Sequence, residues 1–145
     1  MPIAETKRWF EIAVPNPTPQ NVAVQIGCHV EEFVEVLLEL DVSNMDVECY
    51  LSGVRLVLNK IADRLKKGQC KVTVAQRGML LKELCDQVVT SVGIAHMLKM
   101  DIVSAMSEVN RSNFSKFVDG APVFKEGGKI AKGPDYTGPD LSKFV

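Results

Sequence analysis

The first half of the chain is almost without positive charge. No Lys or Arg occurs from Trp9 to Val54, so residues 1 to 54 carry 2 basic and 9 acidic side chains, a net charge of −7. Residues 55 to 82 carry 8 basic and 1 acidic (+7), and residues 83 to 110 carry 1 and 4 (−3). Ion pairs between residues four apart on one helix are therefore not available to most acids of the first half. Their positive charge must come from elsewhere.

The sequence also lacks the features of several other protein classes. No apolar run approaches the roughly 18 residues of a membrane span, and the start Met1-Pro2-Ile3-Ala4-Glu5 lacks a basic segment followed by an apolar one. Its four cysteines contain no CxxC pair, which favours reduced thiols over a zinc or disulfide framework. A composition of 46% hydrophobic and 24% charged residues is typical of a globular protein. We therefore expect one domain over residues 1 to 145, without a membrane segment and in the cytoplasm.

Apolar periodicity and turn residues predict an all-α fold. Gly68 should end one helix and Asp101 should cap the start of another. Gly93, inside a predicted helix, should permit close approach of a neighbouring helix, because a mid-helix glycine otherwise costs about 1 kcal/mol. The predicted elements are a short helix over about 5 to 13, a Pro-rich linker to residue 19, helices over about 20 to 40, 47 to 67, 77 to 99 and 102 to 112, and an irregular tail over 113 to 145 with a hairpin or wide turn at Glu126-Gly127-Gly128. Residues 20 to 112 should form a four-helix bundle.

Two acidic motifs lie on predicted helices. Glu31, Glu32 and Glu35 share one arc of about 100° with Glu39 when placed on a helix. The opposite stripe of that helix is apolar and contains Ile26, Val30, Phe33, Leu37 and Leu40. Glu83 and Asp86 are spaced three apart on a second, mainly apolar helix. Such a pair of helices is the usual frame for a metal site in a bundle, whereas a solvated face is the commoner use of one acidic cluster.

These motifs, together with elements of the tail, resemble a known enzyme superfamily. Glu31-Glu32-x-x-Glu35 followed by Glu83-x-x-Asp86 is similar to the signature of the all-α nucleoside triphosphate pyrophosphohydrolases, the MazG-like superfamily. The tail resembles its phosphoribosyl-ATP pyrophosphohydrolase-like branch through three segments: Asn110-Arg111-Ser112-Asn113, Lys125-Glu126-Gly127-Gly128-Lys129 and Lys132-Gly133-Pro134-Asp135-Tyr136. The interval between Glu35 and Glu83 is longer than is usual in compact members.

The resemblance implies a Mg²⁺-dependent hydrolase, with Mn²⁺ as a substitute, that cleaves between the α and β phosphates of a nucleoside triphosphate. Glu32, Glu35, Glu83 and Asp86 would be the principal metal ligands, and Glu31 would bind a further ion or orient the attacking water. The residues implied in substrate binding are Asn110, Arg111, Asn113, Lys116, Lys132 and Tyr136. Trp9 is a further candidate for stacking on the base, although packing in the core is the commoner use of such a residue.

Other functions stay open at this point. The basic residues from Arg55 to Lys71 are suited to nucleic acid, which would show as salt-sensitive binding. An exposed helix face is the commoner use of such residues, so nucleic acid is the less favoured partner. A non-catalytic helical interaction module with a solvated or structural-cation acidic cluster is the competing class. In either class, helices that are apolar on nearly all faces predict a homodimer or homotetramer.

Overall fold

A computed structural model describes residues 1–125 and 128–145. The described residues are all-α, as predicted, and strand pairing among them is limited to two isolated bridges, Val118–Ala121 and Phe124–Ile130. The turn predicted at Glu126-Gly127-Gly128 includes two residues, 126 and 127, that lie outside the described ones. The helices are α1 (Pro2–Ala13), α2 (Pro19–Leu38), α3 (Met45–Lys66), α4 (Arg77–Met97) and α5 (Ile102–Phe114), followed by a 3₁₀ turn, η1 (Ser142–Phe144).

The helix ends follow local sequence signals. Thr18 caps α2 by accepting a hydrogen bond from the backbone N–H of Asn21 at 3.2 Å. Asp101 caps α5 in the same way, accepting from the N–H of Ser104 at 3.1 Å, as predicted. Gly68 adopts a φ of 68° directly after α3, a left-handed conformation that favours glycine at a helix end. Signals of this kind act within a few residues, which is why the sequence locates them well.

The chain divides into two compact units, residues 16–73 and residues 1–15 with 74–145. The first, here called the hairpin unit, consists of α2 packed against α3. At their closest approach, a Cβ added to Gly27 would lie 2.9 Å from the carbonyl oxygen of Ala62 and 3.1 Å from the Cβ of Leu65. Gly27 is therefore required by close helix packing. At the other end of the pair, the Arg55 guanidinium donates to the Leu37 carbonyl at 3.1 Å.

The face of α2 that packs in the hairpin unit differs from the predicted apolar stripe. Ala23, Val24 and Val34 are buried, whereas Phe33, from that stripe, remains 53% exposed. Small residues around Gly27 allow the backbones to approach, and that approach selects the buried face. Of the predicted stripe, Phe33 and Leu40 are exposed, whereas Ile26, Val30 and Leu37 are half-buried.

The second unit, here called the tail unit, is organised around α5. Helix α1 packs on α5, and α4 and η1 contact it as well. Ala95 is the buried residue of α4, so most of this helix is exposed. Apart from its chain neighbours and the nearby backbone of α4, no atom of the described residues lies within 4 Å of a Cβ added to Gly93, so the predicted close approach of another helix is wrong for them.

No single helix among the described residues is long and apolar enough to cross a membrane. Helices α4 and α5 pass that test only as a pair, bent by 118° at the break between them.

Candidate metal and phosphate sites

The first acidic motif lies on α2 in the hairpin unit. Glu32 and Glu35 are exposed, whereas Glu31 is half-buried against α3. The Lys66 ammonium of α3 lies 2.7 Å from the Glu31 carboxylate, and their side chains are only 17% and 29% exposed. The antiparallel hairpin thus supplies Glu31 with a cation from 35 residues along the chain. Lys66 of α3 therefore supplies part of the positive charge that the acids in the first half of the sequence lack locally.

The second acidic motif lies on α4 in the tail unit. Glu83 and Asp86 are 58% and 54% exposed, and the Lys82 ammonium contacts their carboxylates at 3.1 Å and 2.5 Å. Hydrogen bonds to Asp86 first, and then to Glu83, raise the pKa of Lys82. Since all three side chains face water, this ion pairing contributes little stability and is easily exchanged. Both carboxylates remain accessible to another cation.

The five predicted metal ligands are therefore divided between the two units, three in the hairpin unit and two in the tail unit. Carboxylate oxygens suit Mg²⁺ chemically. Across residues 1–125 and 128–145, however, no group of three or more His, Cys, Asp or Glu side chains converges closely enough to hold a metal ion. Neither unit by itself therefore shows an assembled magnesium site among its described residues.

A cationic cluster forms where the tail crosses the end of α5. It consists of Lys116 and Lys132 with Tyr136, and is called the tail cluster below. The Lys132 ammonium lies 4.6 Å from the centre of the Tyr136 ring. The pKa of Tyr136 is lowered, first by a hydrogen bond with Ser112 and then by the charges of the two lysines. The fold thus places three of the predicted substrate-binding residues together.

Gly133 and Asn113 position the tail cluster. The N–H of Gly133 donates to the Lys116 carbonyl at 3.2 Å, and a Cβ at Gly133 would lie 2.9 Å from that oxygen. Only glycine therefore allows the tail to pass so near the end of α5. The Lys116 ammonium donates to the Asn113 side-chain oxygen at 2.6 Å, which fixes its direction. A phosphate arriving here would meet ammonium and phenol donors that are already gathered.

Arg111 binds the tail rather than pointing freely into the tail cluster. Its guanidinium donates to both carboxylate oxygens of Glu108, at 2.8 Å and 2.7 Å. It also donates to the Thr137 hydroxyl at 2.5 Å and to the Gly138 carbonyl at 3.0 Å. The Asp140 N–H donates to Glu108 at 3.0 Å. Arg111, and to a smaller extent Asp140, lowers the pKa of Glu108 to about 2.

Asn110 and Trp9 are engaged in packing between α1 and α5. Asn110 is 2% exposed, accepts from the Thr6 hydroxyl at 2.8 Å and donates to the Pro2 carbonyl at 2.8 Å. The Trp9 indole N–H donates to the Asn113 carbonyl at 2.9 Å, and its ring stacks on Phe117 with 5.7 Å between ring centres. The substrate contacts expected of Asn110, Trp9 and Arg111 stay predictions.

Sequence reasoning missed the partners of the predicted site residues. Lys82 stands four residues before Asp86, and Glu108 three before Arg111, so both pairs follow helical spacing and were readable from the sequence. The contact of Lys66 with Glu31 has no such signal, because it depends on how α2 and α3 align.

The chain is thus an all-α protein with a cationic tail cluster and two acidic motifs. No protein-family model matches the sequence, and neither curated proteins nor solved structures provide a match.

Proposed function

We propose that this protein is a Mg²⁺-dependent nucleoside triphosphate pyrophosphohydrolase that releases a nucleoside monophosphate and pyrophosphate. The observation that carries the proposal is the tail cluster, because two ammonium groups and a phenol at one place suit the oxygens of a polyphosphate. Lys116 and Lys132 would bind the phosphates that leave as pyrophosphate. Tyr136 would contact the sugar or a phosphate. A role in removing unwanted nucleotides from the cellular pool fits this reaction.

The acidic motifs supply the second part of the proposal. The resemblance to the MazG-like superfamily assigns Glu32, Glu35, Glu83 and Asp86 as ligands of Mg²⁺, for which Mn²⁺ would substitute, and Glu31 as a further ligand or water-orienting base. When bound, the ion would neutralise the phosphates and lower the pKa of a water molecule. The exposure of these carboxylates other than Glu31 supports their availability to a cation.

We also propose that the protein is a homodimer or homotetramer. Eleven apolar residues in and after α4 are more than 40% exposed: Met79, Leu80, Leu81, Leu84, Val88, Val89, Val92, Ile94, Met97, Leu98 and Met100. They expose apolar surface on the order of 600 Å², if a fully exposed side chain of this size presents about 100 Å². Each partner in a standard protein interface buries about 800 Å². Helix α4 and the residues directly after it therefore supply much of the area that a stable interface needs.

Substitution on α4 tests this assembly. Leu81→Lys combined with Val89→Lys should shift the molar mass measured by light scattering to that of a monomer. Val103→Lys, on α5, is the matched control, because Val103 is 64% exposed and lies outside α4. An unchanged mass for the double variant, or a monomeric wild type, would contradict an interface through α4.

The activity itself is tested by pyrophosphate release. Each common ribonucleoside and deoxyribonucleoside triphosphate should be incubated with Mg²⁺, with Mn²⁺ and with EDTA. We expect turnover of at least one nucleotide that EDTA abolishes. Lys116→Ala with Lys132→Ala should lower kcat/KM about a hundredfold, as losing preorganised phosphate donors commonly does. Lys143→Ala, an exposed lysine of the same tail outside the three family-like segments, should leave kcat/KM unchanged.

The second candidate function is a non-catalytic helical interaction module. Lysine partners at both acidic motifs and the exposed face of α4 favour it. In that case the folded oligomer would release no pyrophosphate from any nucleotide with either metal. The nucleotide panel therefore separates the two candidates.

A further inference from the structure

A basic stripe runs along the C-terminal half of α3 in the hairpin unit. Lys60, Arg64 and Lys67 follow each other at intervals of four and three residues, so they lie on one face of the helix. Together with Asp63 and Gln69 they line an open cavity of about 310 Å³. The stripe spans about 10 Å along the helix axis at 1.5 Å per residue.

The three cations of the stripe are not neutralised within the described chain. None of them makes an ion pair or a side-chain hydrogen bond with another residue of 1–125 or 128–145. Asp63, the acid in the cavity lining, lies 3.8 Å from Lys66 instead. Like charges at this spacing destabilise a helix by a few tenths of a kcal/mol per pair. With three cations and the single acid Asp63, the lining carries a net charge of +2, which is suited to an external anion.

Helix dipoles do not oppose an anion strongly at this place. The C-terminal end of α3 is negative, but Gln20, at the positive N-terminal end of α2, lies beside Gly68, its Oε1 2.9 Å from where a Cβ would stand. The opposite partial charges of the two helix ends offset each other. The electrostatic field of the cavity is consequently set by its charged side chains, three cations and Asp63.

The side chains that line the cavity limit the kinds of anion that it suits. Within residues 1–125 and 128–145, no aromatic or apolar side chain lines the cavity. That lining offers no pocket for a free nucleotide's base and no platform on which the bases of a single strand would stack. A row of cations without aromatics instead matches the sequence-independent contacts of a protein with the phosphates of a duplex. We propose that Lys60, Arg64 and Lys67 bind the backbone of double-stranded nucleic acid. This proposal is independent of the pyrophosphohydrolase assignment.

Salt dependence gives a quantitative test. Three phosphate contacts predict a slope of about −2.7 for log K against log salt, because each contact contributes about −0.9 on B-DNA. Binding of a fluorescein-labelled 20-base-pair DNA, followed by anisotropy, should therefore weaken about fortyfold between 50 and 200 mM NaCl. Arg64→Ala should reduce the slope to about −1.8, while Arg64→Lys, which keeps the charge, should leave it near −2.7.

A matched control separates the stripe from overall charge. Lys60→Ala, Arg64→Ala and Lys67→Ala combined should abolish the salt-dependent binding. Arg8→Ala, Arg77→Ala and Lys125→Ala combined remove the same charge from exposed positions in the tail unit and should leave the slope unchanged. Thermal melting of both triple variants should show folded proteins, since all six residues are exposed.

Three kinds of result would contradict the binding of duplex by the stripe. Equal loss of binding in both triple variants would overturn the assignment to the stripe. Tighter binding of a 20-nucleotide single strand, or of inorganic polyphosphate, than of the duplex would overturn the assignment to double-stranded nucleic acid. An absence of any duplex binding at 50 mM NaCl would overturn the proposal as a whole.

Discussion

The close packing at Gly27 predicts how Gly27→Ala changes the stability of the protein. All the contacts involved lie within the hairpin unit. In Gly27→Ala, the new Cβ would stand 2.9 Å from the Ala62 carbonyl oxygen and 2.8 Å from the Lys66 Cγ. The lysine side chain could shift, but the backbone oxygen moves only if α2 and α3 separate. Shifting Lys66 would also disturb its 2.7 Å contact with Glu31.

Two opposing effects set the magnitude for Gly27→Ala. Overpacking of this kind typically costs 1–3 kcal/mol or more, and the backbone contact places Gly27 near the upper end. Replacing glycine by alanine inside a helix returns about 1 kcal/mol. The free energy of unfolding should therefore fall by about 1–2 kcal/mol, which lowers the Tm of a protein this size by roughly 2–8 °C.

Gly53→Ala is the matched control, because Gly53 is an exposed glycine inside α3, in the same unit. Apart from its chain neighbours and the nearby backbone of α3, no atom of the described residues lies within 4 Å of an added Cβ. It should raise the Tm by a few degrees through helix propensity alone. Circular dichroism at 222 nm measures both Tm values. A Gly27→Ala variant that melts at or above the Tm of Gly53→Ala would refute the close packing of α2 on α3.

The remaining predictions concern the acids and the tail. Glu35→Gln and Asp86→Asn should each abolish pyrophosphate release while the circular dichroism spectrum is unchanged; near-normal turnover in either would contradict the ligand assignment. Millimolar Mn²⁺ should raise the Tm above its value in EDTA by binding the folded state, and identical melting curves would favour a solvated acidic face. Truncation after Ser112 should leave a helical protein with kcat/KM at least about a hundredfold lower, whereas an equal kcat/KM would refute the phosphate role of the tail. Because the folded pKa of Glu108 is about 2, below its ordinary 4.5, its hold on the tail is present above pH 4.5 and lost as the pH falls toward 2; Glu108→Gln should already accelerate exchange of the Asp140 amide hydrogen at pH 7, and unchanged exchange would contradict this role.

The sequence predicted the fold class and the helix ends because both depend on local chemistry. The predicted end of the second long helix at residue 67 lies one residue from the observed end at Lys66. The first helix begins at Pro2, earlier than the predicted residue 5, since a proline is well tolerated in the first helical turn. Composition and residue spacing therefore predict the fold class and the helix ends directly.

The packed face of α2 was not predictable in the same way. A large apolar stripe containing Phe33 was the stronger signal, yet the buried residues of α2 are Ala23, Val24, Gly27 and Val34, and Gly27 packs directly against Ala62 of α3. Which face is buried depends on the partner helix and on how closely two backbones can approach. The expectation for Gly93 failed for the same reason: a glycine allows close approach, but the described residues bring nothing near it.

The candidate site was predicted in part. Three residues of the tail cluster, Lys116, Lys132 and Tyr136, were identified from sequence and lie together. Their meeting depends on Gly133, which passes within contact distance of the Lys116 carbonyl. The anchoring of Arg111 by Glu108 could have been expected from helical spacing. Its further bonds to the tail depend on how the chain returns after residue 132.

The burial of each lysine–carboxylate pair indicates how easily a metal ion would replace the lysine. The Glu31–Lys66 pair is mostly shielded from water, so removing the lysine from that carboxylate would leave a partly buried charge without its partner. The contacts of Lys82 with Glu83 and Asp86 are more than half exposed, so water readily replaces the ammonium there. A divalent cation would therefore compete with lysine more easily on α4 than at Glu31. In the proposed metal site, Glu83 and Asp86 would therefore precede Glu31 as direct ligands, and Glu31, held by Lys66, would be better suited to orienting water than to coordinating the ion.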